Sequence, residues 1–104
     1  MVAVNLNVPS PVGVRLARAK VAFQTFSECV WGTAADFDQK ADWVKEIWAQ
    51  VADAAIKEPS HDLAAMAACN TRCRLEDRKV TWSDVGPFGR TVWKMTATKI
   101  RSVQ

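Results

Sequence analysis

The chain contains no tyrosine and a single histidine, His61, and its three cysteines, Cys29, Cys69 and Cys73, are an odd number. Each shortage removes a class of function. Histidine does most proton transfer and metal binding near neutral pH, so one copy leaves little general acid–base chemistry. Three cysteines without a recognisable secretory leader do not read as a disulfide framework. The opening residues MVAVNLNVPSP carry no positive charge before their apolar positions, which argues against a signal peptide. No apolar run approaches the roughly 18 residues a membrane span needs. No G-x-G-x-x-G or Walker sequence occurs, and Gly86-Pro87-Phe88-Gly89 reads as a turn, not a phosphate cradle. There is no internal repeat and no low-complexity stretch. The compartment expected from these absences is the cytoplasm, with reduced thiols.

Against these shortages stand five tryptophans, Trp31, Trp43, Trp48, Trp82 and Trp93, in 104 residues that are 49% hydrophobic and 24% charged. Those proportions suit one globular domain over 1–104. Each fully buried tryptophan removes roughly 150–250 Å² from water, about 4–6 kcal/mol gross, so five of them can offset much of the chain's ordering entropy.

The hydrophobic pattern is mainly helical. From Ser10 and Pro11, which suit an N-cap and a first helical position, Leu16, Ala19, Phe23, Phe26 and Val30 recur at alternating steps of three and four. This predicts a helix over 10–31, ended by Gly32 and with Trp31 closing the joint. Thr33, with Asp36 three residues on, predicts a second helix over 33–57, whose Phe37, Ala41, Val44, Trp48, Val51 and Ala55 form a heptad seam. Asp36 with Lys40 and Asp53 with Lys57 are spaced as intrahelical ion pairs. The short joint makes these two helices an antiparallel hairpin. Ser60 caps a third, alanine-rich helix over 60–76, which fades in the charged run from Arg74 to Lys79.

Two segments are less settled. Val2, Val4, Leu6 and Val8 alternate in 1–9 as an extended arm or strand. The tail after Val80 reads as a helix over 87–101, with Phe88, Val92 and Met95 on one stripe and Trp93, Ala97 and Ile100 beside it. The competing reading is a hairpin rich in β-branched residues. Pro87 at a helix start and Lys94, Lys99 and Arg101 toward its end favour the helix. The fold class is therefore a small helical bundle, a helical hairpin plus a third and a C-terminal helix. The alternative is an α+β fold with an N-terminal strand and a C-terminal hairpin.

The functional candidates are few. Cys29, Cys69, Cys73 and His61 match a zinc ligand set in number, but no C-x-x-C knuckle is present, and buried thiols acting as small apolar groups fit better. No metal and no cofactor is expected. His61 falls in a first helical turn, where the dipole disfavours imidazolium. Asp36, Asp38, Asp42 and Glu46 scatter around a polar helix face rather than converging. An enzyme is not expected.

Net charge is +3 and uneven: +2 over residues 1–35, −4 over 36–62 and +5 over 63–104. The basic, aromatic C-terminal part carries the ingredients for nucleic-acid binding, with Gly89 to Lys94 as a recognition helix. That reading is second. Trp43 lies off the second-helix seam and is the tryptophan expected at the surface, where tryptophan and arginine serve as binding anchors. The expected function is a non-enzymatic protein-binding module acting as inhibitor, adaptor or assembly component, binding through Trp43, Glu46 and Gln50 with Arg72, Arg74 and Arg90 steering by charge. Another protein is the expected partner. A homodimer through the second-helix seam is a further possibility, and no membrane role is expected.

Overall fold

A computed structural model describes residues 11–103 of the chain. The segment expected as an N-terminal arm or strand, 1–9, lies outside the described residues. Four helices run in order: α1 (Pro11–Trp31), α2 (Asp42–Ile56), α3 (His61–Leu75) and α4 (Pro87–Ser102). Each packs on its sequence neighbour, and α4 closes the ring by packing on α1, with α2 and α4 facing each other across the centre. The mainly helical reading stands. Among the described residues there is no strand, and the C-terminal hairpin is replaced by α4.

Local chemistry sets most helix ends. Gly32 takes a left-handed φ of 79°, as the residue after a helix commonly does. The Ser60 hydroxyl accepts the Leu63 N–H at 3.2 Å, capping α3. At the far end Asp77 adopts φ 53°, and the Arg78 N–H reaches back to the Cys73 carbonyl at 2.8 Å. Pro87 occupies the start of α4.

The joint between α1 and α2 departs from expectation. The second helix begins at Asp42, not Thr33, and residues 33–41 form a connector with one short 3₁₀ turn, Phe37–Gln39. The Asp36 carboxylate accepts the Asp38 N–H at 3.1 Å, capping that turn instead of entering a capping box. Short acidic side chains favour such local bonds over helix interiors. Lys20 anchors the turn through Asp38 at 2.8 Å. Phe37 is delivered to the core all the same, 5.6 Å from Phe23. The intrahelical ion pairs are likewise replaced by tertiary contacts: Asp53 pairs with Arg15 of α1 at 2.8 Å, and the Lys40 ammonium lies over the Phe23 ring at 5.9 Å.

The centre is aromatic. Phe23 and Phe26 of α1, Trp48 of α2 and Trp93 of α4 pack in stacked, tilted and edge-on pairs with centroids 4.8–6.2 Å apart, the spacing at which aromatic pairs add to area burial. Alanines line the inner faces of all four helices and let the backbones approach. The seam of α2 is spent inside this core: Trp48, Val51 and Ala55 are buried against the other helices. Those side chains are therefore not available for a homodimer through that seam. On α4 the buried set is Val92, Trp93, Thr96, Ala97 and Ile100, while Phe88 and Met95 face outward, reversing part of the expected stripe. Thr96 fits the core because its hydroxyl donates to the Val92 carbonyl at 2.8 Å. The stripe on α1 is covered only in its middle: Ala19, Phe23 and Phe26 are buried, whereas Leu16 and Val30 toward its ends are exposed.

Candidate functional site

The end of α1, the connector, the first turns of α2 and the last turns of α3 meet around an apolar groove of about 380 Å³. Phe23, Trp48 and Arg72 reach it from the core. Trp31, Ala35, Trp43, Val44 and Ile47 form the walls, with Lys40 and Glu76 also lining it. Trp43 is 69% exposed and Trp31 61%. Helix geometry explains Trp43. Trp48 points inward, and Trp43 lies five residues earlier, about 140° around the axis at 100° per residue. Trp31 ends α1 just before Gly32 and meets Phe26 of the core edge to face, with centroids 6.1 Å apart.

Arg72 stabilises the groove from below. Its guanidinium lies 4.5 Å from the Phe26 centroid and 5.3 Å from that of Trp48, and its side chain is 13% exposed. It donates to Glu76 at 3.1 Å, and Glu76 also accepts from Arg78 at 2.8 Å. Arg72, expected as a steering charge, is thus engaged within the fold by two rings and a carboxylate.

The other expected residues do not converge on the groove. Glu46 lies on the outside of α2, where its carboxylate accepts both terminal Arg15 nitrogens, at 3.0 and 3.1 Å, and the Gln50 amide at 3.3 Å. The hydrogen bonds from Arg15 hold the Glu46 pKa below its ordinary value. Gln50 and Arg74 line a separate depression of about 230 Å³ between α2 and α3, with Asp53, Ala54, Lys57 and Thr71. Arg90 is committed elsewhere. It donates to the carbonyls of Val85 and Trp82 at 3.0 and 3.3 Å and sits 5.1 Å over the Trp82 ring, fastening the turn that leads into α4. Arg90, expected as a steering charge, is thus held by backbone carbonyls and a ring. Of the expected set, Trp43 and Arg72 line the groove, whereas Gln50 meets Glu46 and shares its depression with Arg74 away from it.

Trp31 was missed by sequence reasoning. The signal was present, because Trp31 lies off the α1 stripe as Trp43 lies off the α2 stripe. Its place beside Gly32 pointed instead to a packing role.

The groove's lining contains no serine, threonine, cysteine or histidine, and its carboxylate, Glu76, is held by two arginines. His61 begins α3, at the other end of that helix from Arg72 and Glu76. Cys69 and Cys73 are buried in α3, and burial, assisted by the neighbouring Cys73, pushes the Cys69 thiol up to about 12. Among the described residues no group of three or more His, Cys, Asp or Glu is placed to hold a metal ion. No described helix is long and apolar enough to cross a membrane. In the segment expected as a recognition helix, Val92 and Trp93 are buried and Arg90 is bound to carbonyls. Comparison with protein-family models, with curated proteins and with solved structures finds no match for this chain.

Proposed function

We propose that this chain is a non-catalytic protein-binding module, an inhibitor, adaptor or assembly component, that receives an apolar segment of its partner between Trp31 and Trp43. The observation that carries the reading is the exposure of two tryptophans that line one apolar groove. About two thirds of each ring's roughly 150–250 Å² remains in contact with water, so covering both releases on the order of 5–8 kcal/mol gross at about 25 cal/mol per Å². Association costs of roughly 4–15 kcal/mol consume much of that, which fits a specific contact that also draws on the groove walls. Three free thiols agree with a cytoplasmic, reducing setting.

The test is affinity capture from host lysate with wild-type protein, Trp43→Ala and Trp31→Ala, each with and without nuclease. The captured protein should survive nuclease and fall by at least about 30-fold in affinity for the tryptophan variants, the scale of a hot-spot residue. Capture that both variants retain, or that nuclease abolishes, overturns the reading. The nuclease result then favours nucleic acid.

A further inference from the structure

We infer that the outer face of α4 is a second docking strip, shaped for an acidic amphipathic helix. Burial alternates cleanly along α4. Val92, Trp93, Thr96, Ala97 and Ile100 face the core, while Phe88, Thr91, Met95 and Thr98 face out. These four outward positions are spaced three, four and three apart, the spacing of a helix-pairing seam. Phe88 is 69% exposed and Met95 50%, one heptad apart. The two threonines of the strip leave no donor to satisfy: Thr91 donates to the Pro87 carbonyl at 3.0 Å and Thr98 to the Lys94 carbonyl at 2.9 Å. Shallow depressions of about 440 and 290 Å³ lie along this face, both bordered by Thr91 and Lys94.

Charge selects the occupant. Four bases stand on α4. Arg90 and Arg101 donate to backbone carbonyls, Arg101 to those of Glu58, Pro59 and Ser60, so both are occupied within the fold. The other two, Lys94 and Lys99, lie at the positions flanking the seam. Lys94 meets Asp62 at 3.6 Å in a loose, exposed pair, and Lys99 has no carboxylate partner among the described residues. A second copy of α4 laid on this strip, parallel or antiparallel, would set lysine against lysine. A partner helix with glutamates at its flanking positions meets both. The strip is too narrow for a membrane surface, with two apolar side chains separated by threonine. Two lysines, one of them already beside Asp62, make too few phosphate contacts for nucleic acid to dominate. Because α4 lies across the bundle from α2, the strip and the tryptophan groove can be filled together, which is what an adaptor needs.

The test uses the full chain, ¹⁵N-labelled, and four probes. They are a three-heptad peptide with leucine at its seam and glutamate at its flanks, the same peptide with lysine flanks, phosphatidylserine–phosphatidylcholine vesicles, and random duplex DNA. The glutamate peptide should shift the amides of Phe88, Thr91, Met95, Thr98 and Lys99. Lys94→Glu with Lys99→Glu should weaken it at least about tenfold and create binding to the lysine peptide. Both lysines are exposed, so the variant keeps the fold, and an unchanged thermal melt verifies this. Trp43→Ala should leave the peptide's affinity unchanged, which separates this strip from the groove. Equal affinity for the two peptides, shifts mapping elsewhere, or tighter binding to vesicles or duplex overturns the inference.

Discussion

Removing the Arg72 guanidinium tests the account of the groove most directly, because the same side chain was expected at the surface and lies instead beneath it. The guanidinium stacks within 4.5 Å of Phe26 and 5.3 Å of Trp48. Cation–π contacts are worth about 0.5–1 kcal/mol when exposed and about 2 when desolvated, and at 13% exposure the stack falls near the upper end. The pair with Glu76 adds roughly 0.5–1 kcal/mol, discounted because Glu76 keeps Arg78 when Arg72 is gone. Arg72→Ala should therefore cost about 2–3 kcal/mol. For a domain of this size each kcal/mol lowers Tm by roughly 4–8 °C, so the variant should melt about 10–20 °C below wild type. Arg72→Lys keeps the charge but loses the flat fork that covers two rings, and should fall about midway. Far-UV circular dichroism melts together with urea titrations give both numbers. An Arg72→Ala variant that melts within about 3 °C of wild type would refute the stacking argument and return Arg72 to the surface role.

Four further outcomes follow from the same geometry. Trp48→Ala removes a buried ring that touches Phe23, Phe26 and Trp93, and should cost about 3–5 kcal/mol in urea unfolding, whereas Trp43→Ala should cost no more than about 1–2. Thiol labelling of the native protein should modify the half-buried Cys29 first and reach Cys69 and Cys73 only on unfolding. Because the Cys69 thiol is pushed up to about 12, its neutral form favours the folded state below the unfolded thiol value near 8.5, and stability should decline as pH rises from about 9 toward 12. Glu46 is held below its ordinary value by Arg15, so the stability it contributes is present above about pH 4.3 and is lost as pH falls through its lower folded value. Arg15→Ala should cost under about 1 kcal/mol at neutral pH and flatten that acid limb.

The parts legible beforehand were those governed by neighbours in the chain. Gly32, Ser60 and Pro87 mark helix ends through backbone chemistry that acts over a few residues, and each does so in the structure. Trp43 was legible as an exposed residue because its offset from Trp48 is a matter of helix geometry. The start of α2 was not, since Phe37 fits the heptad count whether a helix or a turn delivers it. The outward face of α4 was missed because Phe88 and Met95 look more apolar than Thr96. The roles of Arg72 and Arg90 were hidden because the rings and carbonyls they meet include ones from other elements.

The sequence alone determined a mainly helical chain, the ends of α1, α3 and α4, and an excess of tryptophan over reactive groups. Periodicity and capping are local, so the order of residues suffices for them. Tertiary structure decided which tryptophans became core, which arginines became part of the fold, and that Trp31 and Trp43 line one groove. Those outcomes depend on which faces of four helices meet, and the pattern within any one helix does not contain that information.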